Sequence, residues 1–159
     1  MPVPERGAER TRLVEEMVRE RDTFYATLEL IDPSRLDRAG LVGDWSAREL
    51  IAHLGYWAGW ATQAIHMAEQ DRLAEFDDPD LDVDERNAIV ARTAGQADLP
   101  TVRRREEASF QALRERTERV DPELLALRWG RESTLASLID ENGGEHYREH
   151  AAQLPAAER

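Results

Sequence analysis

GLVGDWSARELIAHLGYW, residues 40–57, decides the fold, because it contains the start of a long helix and the pattern that defines its apolar face. Ser46 and Glu49, three residues further on, form a capping box, which marks a helix N-terminus. Apolar residues then recur at intervals of three and four, as an amphipathic helix requires. We therefore predict a helix from Ser46 to about Glu75, whose inward face consists of Leu50, His53, Leu54, Trp57, Ala61, Ala64 and Ala68.

Three further segments have the periodicity of amphipathic helices. They cover about residues 9–31, 101–120 and 133–150. A proline follows each of the first two, and the residue before a proline is disfavoured in the helical conformation. The third segment has one continuous face that consists of Leu135, Leu138, Ile139, Asn142, His146 and His150.

A long acidic connection joins the second predicted helix to the third. Its sequence, EFDDPDLDVDERNAIVARTAGQADLP, contains proline and glycine, and we expect one short extra helix in it at about residues 85–92. No segment has the alternating pattern of a β-strand. The sequence therefore predicts an all-α fold, a four-helix bundle with one long crossover connection, as a single domain over residues 1–159.

The composition excludes several classes of chemistry. The chain has no cysteine and no lysine, which rules out thiolate ligands, disulfides, a lysine Schiff base and a P-loop. Its net charge of −12 disfavours nucleic acid as a partner. The basic run Arg103–Arg105 is followed by Glu106 and Glu107, and such alternation is typical of a solvated helix face. Without a membrane-length apolar run or an apolar signal core, we expect no membrane contact and a cytoplasmic location.

Three of the four histidines are predicted to face the bundle core. His53 lies on the apolar face of the second helix, whereas His66 lies about 220° around that helix, toward solvent. His146 and His150 are one turn apart in HYREH, so their rings lie on one face, about 40° apart. Burying titratable rings without partners is costly, and binding a divalent cation through neutral imidazoles removes that cost. Hydrogen-bonded structural histidines are the alternative interpretation.

HYREH also matches H-x-x-E-H, the signature of one class of zinc protease. Those proteases resemble one another in taking a third ligand, a glutamate, from far downstream. Only nine residues follow His150. A third ligand must therefore come from upstream, and His53 is the candidate.

The order of these motifs resembles the DinB/YfiT-like superfamily of four-helix metalloenzymes. The pattern W-S-x-x-E-L-x-x-H-L covers Trp45 to Leu54, and HYREH follows near the C-terminus. DERN, residues 84–87, resembles the ClbS/DfsB-like subgroup; the metal-binding domain of mycothiol-dependent maleylpyruvate isomerase is the other subgroup that the chain resembles. The resemblance implies a divalent metal held by His53, His146 and His150, with coordination positions left open. Zn or Ni is expected first, with Fe or Co as alternatives.

The resemblance also implies thiol chemistry, because characterised members include S-transferases that use bacillithiol or mycothiol. We therefore expect a metal-dependent transferase that acts with such a low-molecular-weight thiol on a small electrophile, in detoxification or resistance. The reacting group is expected to be a metal-bound thiolate or water. A ClbS-like metal-free hydrolase and a non-catalytic bundle that sequesters a small molecule stay open as alternatives. The chain lacks the second domain of the resembling isomerases, so maleylpyruvate isomerisation itself is not expected. Dimers are common among resembling proteins, so a homodimer is a further expectation.

Four residues are candidates for supporting roles. Glu49, one turn before His53, is a candidate for orienting that imidazole, although the capping box also explains it. Glu149 is a candidate general base, with a solvated carboxylate as the alternative. Trp57 and Tyr147 are candidates for a pocket wall, with ordinary core packing as the alternative.

Two glycines, Gly143 and Gly144, interrupt the fourth predicted helix just before the histidine pair. Two glycines within a helix cost about 2 kcal/mol relative to alanine. They indicate either a close backbone approach that aims the imidazoles, or a break after which HYREH begins a new short helix. Both interpretations are open at the level of sequence.

Overall fold

The computed structural model describes residues 3–155, with side chains from residue 5 onward. The ends of the predicted single domain, residues 1–2 and 156–159, lie outside the described residues. The described chain forms seven α-helices and one small hairpin, which confirms the all-α prediction. In chain order these elements are α1 (Val3–Glu29), α2 (Pro33–Leu36), α3 (Ala47–Glu69), α4 (Val83–Ala94), α5 (Leu99–Arg119), β1 (Arg128–Trp129), β2 (Ser133–Thr134), α6 (Leu135–Asn142) and α7 (Gly144–Gln153).

The bundle consists of α1, α3, α5 and the pair α6–α7, which together supply its fourth helix. The most extensive packing is that of α3 against α5 and of α1 against α7. At the crossing of α3 and α5, a Cβ at Gly55 would lie 3.0 Å from the Cα of Glu106, so the absence of a side chain permits the approach. The predicted four-helix bundle is therefore confirmed. Its largest fully buried side chains include Leu13, Met17, Phe24, Leu28, Leu50, Leu54, Ile65, Leu113, Leu135 and Tyr147.

The long helix α3 begins where the sequence predicts. The carboxylate of Glu49 accepts hydrogen bonds from the backbone N–H of Ser46, at 2.6 Å, and from the Ser46 hydroxyl. The predicted C-terminal end at Glu75 is wrong, since α3 ends at Glu69. Asp71 has a φ of 57°, a left-handed conformation that no α-helix can contain, and residues 73–75 form a separate 3₁₀ turn.

The fourth predicted helix is broken at Gly143. This residue has φ −112° and ψ −113°, outside the helical region, so α6 ends at Asn142 and α7 begins at Gly144. A Cβ at Gly143 would lie 2.7 Å from the carbonyl oxygen of Ile139. A Cβ at Gly144 would lie 3.2 Å from the backbone of Glu16 on α1. Of the two interpretations left open by the sequence, the break is correct, and the second glycine also allows a close backbone approach.

The crossover contains the expected extra helix, α4, which is longer than the predicted residues 85–92. Asp82 begins it by accepting a hydrogen bond from the backbone N–H of Glu85 at 3.0 Å. Asp77, earlier in the crossover, forms an ion pair with Arg86 on α4 and accepts a 2.7 Å hydrogen bond from the indole of Trp60 on α3. These contacts hold the crossover against the bundle.

A hairpin of two-residue strands lies between α5 and α6. Strands β1 and β2 pair antiparallel, with Trp129 opposite Ser133. The indole N–H of Trp129 donates to the carbonyl oxygen of Phe76 at 2.7 Å, which ties the hairpin to the crossover. The strands are too short to produce an alternating pattern, which explains why the sequence did not predict them. Among the described helices, none combines the length and apolar character that a membrane span requires.

Candidate metal centre

The three histidines that the sequence predicted to converge do meet, at one end of the bundle. One nitrogen from each of His53, His146 and His150 lies within 4.8 Å of the others. The ring centroids are 4.6 Å apart for His53 and His146, 5.0 Å for His53 and His150, and 4.8 Å for His146 and His150. His53 comes from α3 and the other two come from α7, so the cluster bridges two helices. The fourth histidine, His66, is half-buried elsewhere on α3.

The pairing of ring nitrogens leaves two buried polar atoms without partners. The Nε2 atoms of His53 and His146 are 2.8 Å apart, so one of them donates a hydrogen bond to the other. The Nδ1 atoms of both rings are buried and have no hydrogen bond. His150 differs, because its Nδ1 donates to the Oε1 of Gln153 at 2.7 Å, which leaves the lone pair on Nε2.

All three imidazoles are held in the neutral form. Burial, followed by the nearby His150, lowers the pKa of His53 to about 4. Burial and the other two imidazoles lower the pKa of His146 well below its ordinary value, and burial also lowers the pKa of His150. Neutral imidazole is the form that binds metals. The donor set therefore fits a divalent cation such as Zn or Ni, with positions left for another ligand.

The pair of histidines on α7 is positioned through its neighbour Tyr147. This tyrosine is fully buried, and its hydroxyl donates to the Oε1 of Glu106 on α5. Burial and the carboxylate of Glu106 raise the pKa of Tyr147 well above its ordinary value, so it stays a donor. Because Tyr147 follows His146 directly, the contact fixes the rotation of α7 about its axis.

Glu106 is the centre of a buried network. Arg21 on α1 binds its two oxygens at 2.8 and 2.9 Å, and the Tyr25 hydroxyl donates to it at 2.7 Å. The solvated face predicted for Arg103–Glu107 is therefore wrong at Glu106, which is 1% exposed. The carboxylate is buried because Gly55 brings α5 against α3 and because a bidentate arginine compensates its charge. Charge alternation in the sequence did not distinguish this glutamate from its solvated neighbours.

A cavity of about 270 Å³ opens beside the imidazole cluster. His53 and His146 form part of its wall, and Trp57, Trp60 and Trp129 form an aromatic side of it. The indoles lie in a row: the ring centroids of Trp57 and Trp60 are 5.3 Å apart, and those of Trp60 and Trp129 are also 5.3 Å apart. Trp57 thus occupies the predicted position in a pocket wall, whereas Tyr147 lies in the core beside Glu106 and is not part of this wall.

The two glutamates that the sequence offered as supporting residues are not members of the three-histidine cluster. Glu49 is engaged with Ser46 at the start of α3, and Glu149 is exposed on α7. Trp45, the first residue of the W-S-x-x-E-L-x-x-H-L pattern, packs against the imidazole of His53 with centroids 4.9 Å apart. The supporting roles of Glu49 and Glu149 in chemistry stay predictions.

Asn87 is a functional candidate that the sequence reasoning did not select. Its Oδ1 accepts a 2.8 Å hydrogen bond from the indole N–H of Trp57. It also interacts with His53, and this interaction raises the pKa of that imidazole. The DERN motif, residues 84–87, ends on this residue and was the one available signal.

The fold and the cluster together define a helical bundle with a three-histidine candidate metal centre. The sequence model for the mycothiol maleylpyruvate isomerase N-terminal domain matches residues 17–152. The chain therefore belongs to this family, which has the DinB-like fold, and the second of the two subgroups suggested by the sequence is confirmed.

A solved structure agrees in fold. The crystal structure of the mycothiol-dependent maleylpyruvate isomerase superposes with a TM-score of 0.69 at 18% sequence identity, over 98% of this chain and 62% of that one. The chain thus spans less than two thirds of that relative. No curated protein matches the chain in sequence at a significant level.

Proposed function

We propose that the chain is a metal-dependent transferase that joins a low-molecular-weight thiol, of the mycothiol or bacillithiol kind, to a small electrophile. The observation that carries the proposal is the convergence of three neutral imidazoles, from His53, His146 and His150, beside a cavity whose wall includes two of them. Membership of a family named for a mycothiol-dependent enzyme supports a thiol as the second reactant. Detoxification or resistance is the role that such a reaction would serve.

The protein's own contribution is to hold the cation, to exclude water and to admit the electrophile. A bound cation would lower the pKa of the thiol and so supply thiolate near neutral pH. The sulfur then forms a bond to the electrophilic carbon. The thiol proton leaves to solvent, and in a substitution the leaving group departs with its electron pair. Because the chain has no cysteine, the sulfur must come from the small molecule.

The first experiment measures metal content by elemental analysis in protein purified without an affinity tag. We expect about one divalent metal per chain, lost in the His146→Ala/His150→Ala double variant and retained in His66→Ala, the matched control. The loaded protein should then consume mycothiol or bacillithiol with a panel of electrophiles. A wild-type protein that cannot be loaded with Zn or Ni would contradict the metal centre.

Two other outcomes identify the alternative functions. Turnover of an electrophile without any thiol would favour the metal-free hydrolase. Saturable binding without product would favour sequestration. Light scattering tests the proposed homodimer, which concerns assembly and not the chemistry.

A further inference from the structure

Another cavity lies away from the candidate metal centre, in the cleft between α4 and α5. Its volume of about 400 Å³ is within the range of about 300–1,000 Å³ that is usual for small-molecule sites. The clustered histidines are not among the described residues that line it. We propose that this α4–α5 cleft binds a small monocarboxylate with an apolar body, such as an aryl-substituted acetate. The inference goes beyond the proposed function and does not depend on it.

The cleft exists because α4 packs on one of its two neighbouring helices and hardly on the other. It packs against α3 but scarcely touches α5, although Gly55 brings α5 close to α3. Contacts on either side of the cleft hold α4 in this position. Trp57 donates to Asn87 in the first half of α4, and Arg48 donates to the carbonyl oxygen of Ala97, just beyond its end. The space between α4 and α5 is therefore part of the folded structure.

Most of the cleft wall is apolar. Ile89 and Val90 on α4 and Val102 on α5 provide branched side chains, while Ala52 and Gly55 on α3 leave room between them. Ile89 is 48% exposed. An apolar group in the cleft would remove this surface from water, which is favourable. The composition of the wall therefore favours a ligand with an apolar body.

One cation in the cleft wall has no partner within the protein. The side chain of Arg105 is exposed and forms no hydrogen bond or ion pair with any described residue. Glu106 also lines the cleft, but its carboxylate accepts hydrogen bonds from Arg21, Tyr25 and Tyr147, and the arginine compensates its charge. The cleft therefore has an uncompensated positive charge, in a chain whose net charge is −12.

The surroundings of Arg105 favour a carboxylate. Ser109 is four residues further along α5, so the two side chains lie on one face of the helix, and both line the cleft. The Ser109 hydroxyl has no hydrogen bond with a described residue. A guanidinium binds a carboxylate through two parallel hydrogen bonds, and the serine hydroxyl can donate a further one. Because one cation compensates one negative charge, a monoanion fits better than a dianion.

Two matched probes test the charge preference. Naphthaleneacetate and naphthaleneacetamide have nearly the same size and differ in charge. We expect wild type to bind the carboxylate about fivefold more tightly by calorimetry, as is usual for an ion pair at a protein surface. Arg105→Gln should remove this preference, whereas Arg104→Gln, the same change at the neighbouring position outside the cleft wall, should retain it. Equal binding of the two probes to wild type, or an equal effect of the two substitutions, would overturn the proposal.

Two further variants locate the binding site. Thr93→Trp places a large side chain at an exposed position of the cleft wall. It should weaken binding of both probes by about tenfold or more, with folding checked by circular dichroism. His146→Ala/His150→Ala should leave both affinities unchanged. Unchanged binding in Thr93→Trp would overturn the proposal, and so would loss of carboxylate binding in the double variant, since it would place the probe at the metal centre.

A second copy of the chain is the competing occupant of an apolar cleft. Failure of wild type to bind either probe at about millimolar concentration would overturn the proposal. A dimer that Thr93→Trp dissociates, measured by light scattering, would then assign the cleft to the second copy. None of these measurements tests metal loading or thiol consumption, so their outcome is independent of the proposed function.

Discussion

The Nε2 atoms of His53 and His146 lie 2.8 Å apart, although 93 residues separate the two histidines in the chain. The contact joins α3 to α7 at the end of the bundle where the cavity opens. Both imidazoles are buried and neutral, and both have an unpaired Nδ1. Such an arrangement leaves polar atoms unsatisfied unless another group, such as a cation with its surrounding hydrogen bonds, completes it.

Metal addition should stabilise the folded protein. At a free Zn²⁺ concentration about 100 times the Kd, binding to the native state adds about 2.7 kcal/mol, which for a chain of this size raises Tm by roughly 5–10 °C. Thermal denaturation of chelator-treated protein, with and without Zn²⁺, measures this shift. His66→Ala should keep it and His146→Ala/His150→Ala should lose it; an equal shift in the double variant would place the metal elsewhere.

Asn87 should control metal affinity without being a ligand. Its Oδ1 accepts a hydrogen bond from Trp57, and its side chain also interacts with His53, whose Nδ1 has no hydrogen bond. Loss of a group that orients a ligand imidazole lowers metal affinity by about 10–100-fold. We expect that loss in Asn87→Ala, measured by competition with a chromogenic chelator. Asn142→Ala is the control, since this amide lines the cavity beside the cluster but bonds the carbonyl of Leu138; similar losses in both variants would indicate a general disturbance of the site.

Glu106→Gln should be strongly destabilising. The substitution leaves Arg21 partly buried without its carboxylate, and breaking a buried ion pair on one side costs about 3–5 kcal/mol. Tyr147→Phe, which removes one donor to the same network, should cost about 1 kcal/mol. Urea denaturation measures both. Glu107→Gln on the solvated side of α5 should change the free energy of unfolding by less than about 0.5 kcal/mol, and an equal effect there would contradict the importance of the buried network.

Gly143→Ala should destabilise the bundle, whereas Gly7→Ala, at a helical glycine with free space around it, should not. The new Cβ at position 143 would meet the Ile139 carbonyl at 2.7 Å, and we expect a cost of about 2 kcal/mol or more. At Gly7 on α1 nothing lies within 4 Å of the added Cβ, so Gly7→Ala should stabilise by roughly 0.5–1 kcal/mol. Denaturant midpoints of the two variants test the contrast, and a neutral Gly143→Ala would mean that the chain can continue as one helix.

The ion pair between Asp77 and Arg86 should make part of the stability dependent on pH. The hydrogen bond from Arg86, with that from Trp60, lowers the pKa of Asp77 from 3.8 to about 2. Because the folded pKa is below the unfolded one, the contribution is complete above about pH 5 and is lost as the pH falls toward 2. Asp77→Asn should therefore cost about 1 kcal/mol at pH 7 and progressively less below pH 4. If the free energies of unfolding of wild type and Asp77→Asn differ by a constant amount down to about pH 2.5, this assignment is contradicted.

The sequence by itself determined the helices, the bundle and the inward placement of three histidines. A helix with one apolar face must bury that face, and the periodicity of three and four places His53, His146 and His150 among the buried positions. The capping box at Ser46 and the prolines after the first and third predicted helices likewise act through neighbouring residues, so they can be interpreted without a tertiary structure. The break at Gly143 was visible as a glycine pair, but choosing between a break and a continuous helix required the backbone angles.

Only the tertiary structure decided which polar groups share a site. Glu106 belongs to the core because Gly55 lets α5 approach α3, a relation between residues far apart in the chain. Asn87 reaches Trp57 because the crossover folds back along α3, and the three indoles of the cavity come from α3 and from a hairpin with no periodic signal. The pattern along a single helix specifies which face is buried, whereas the partner of that face depends on long-range packing. That is the physical reason why the three-histidine cluster was predictable from the sequence and its surroundings were not.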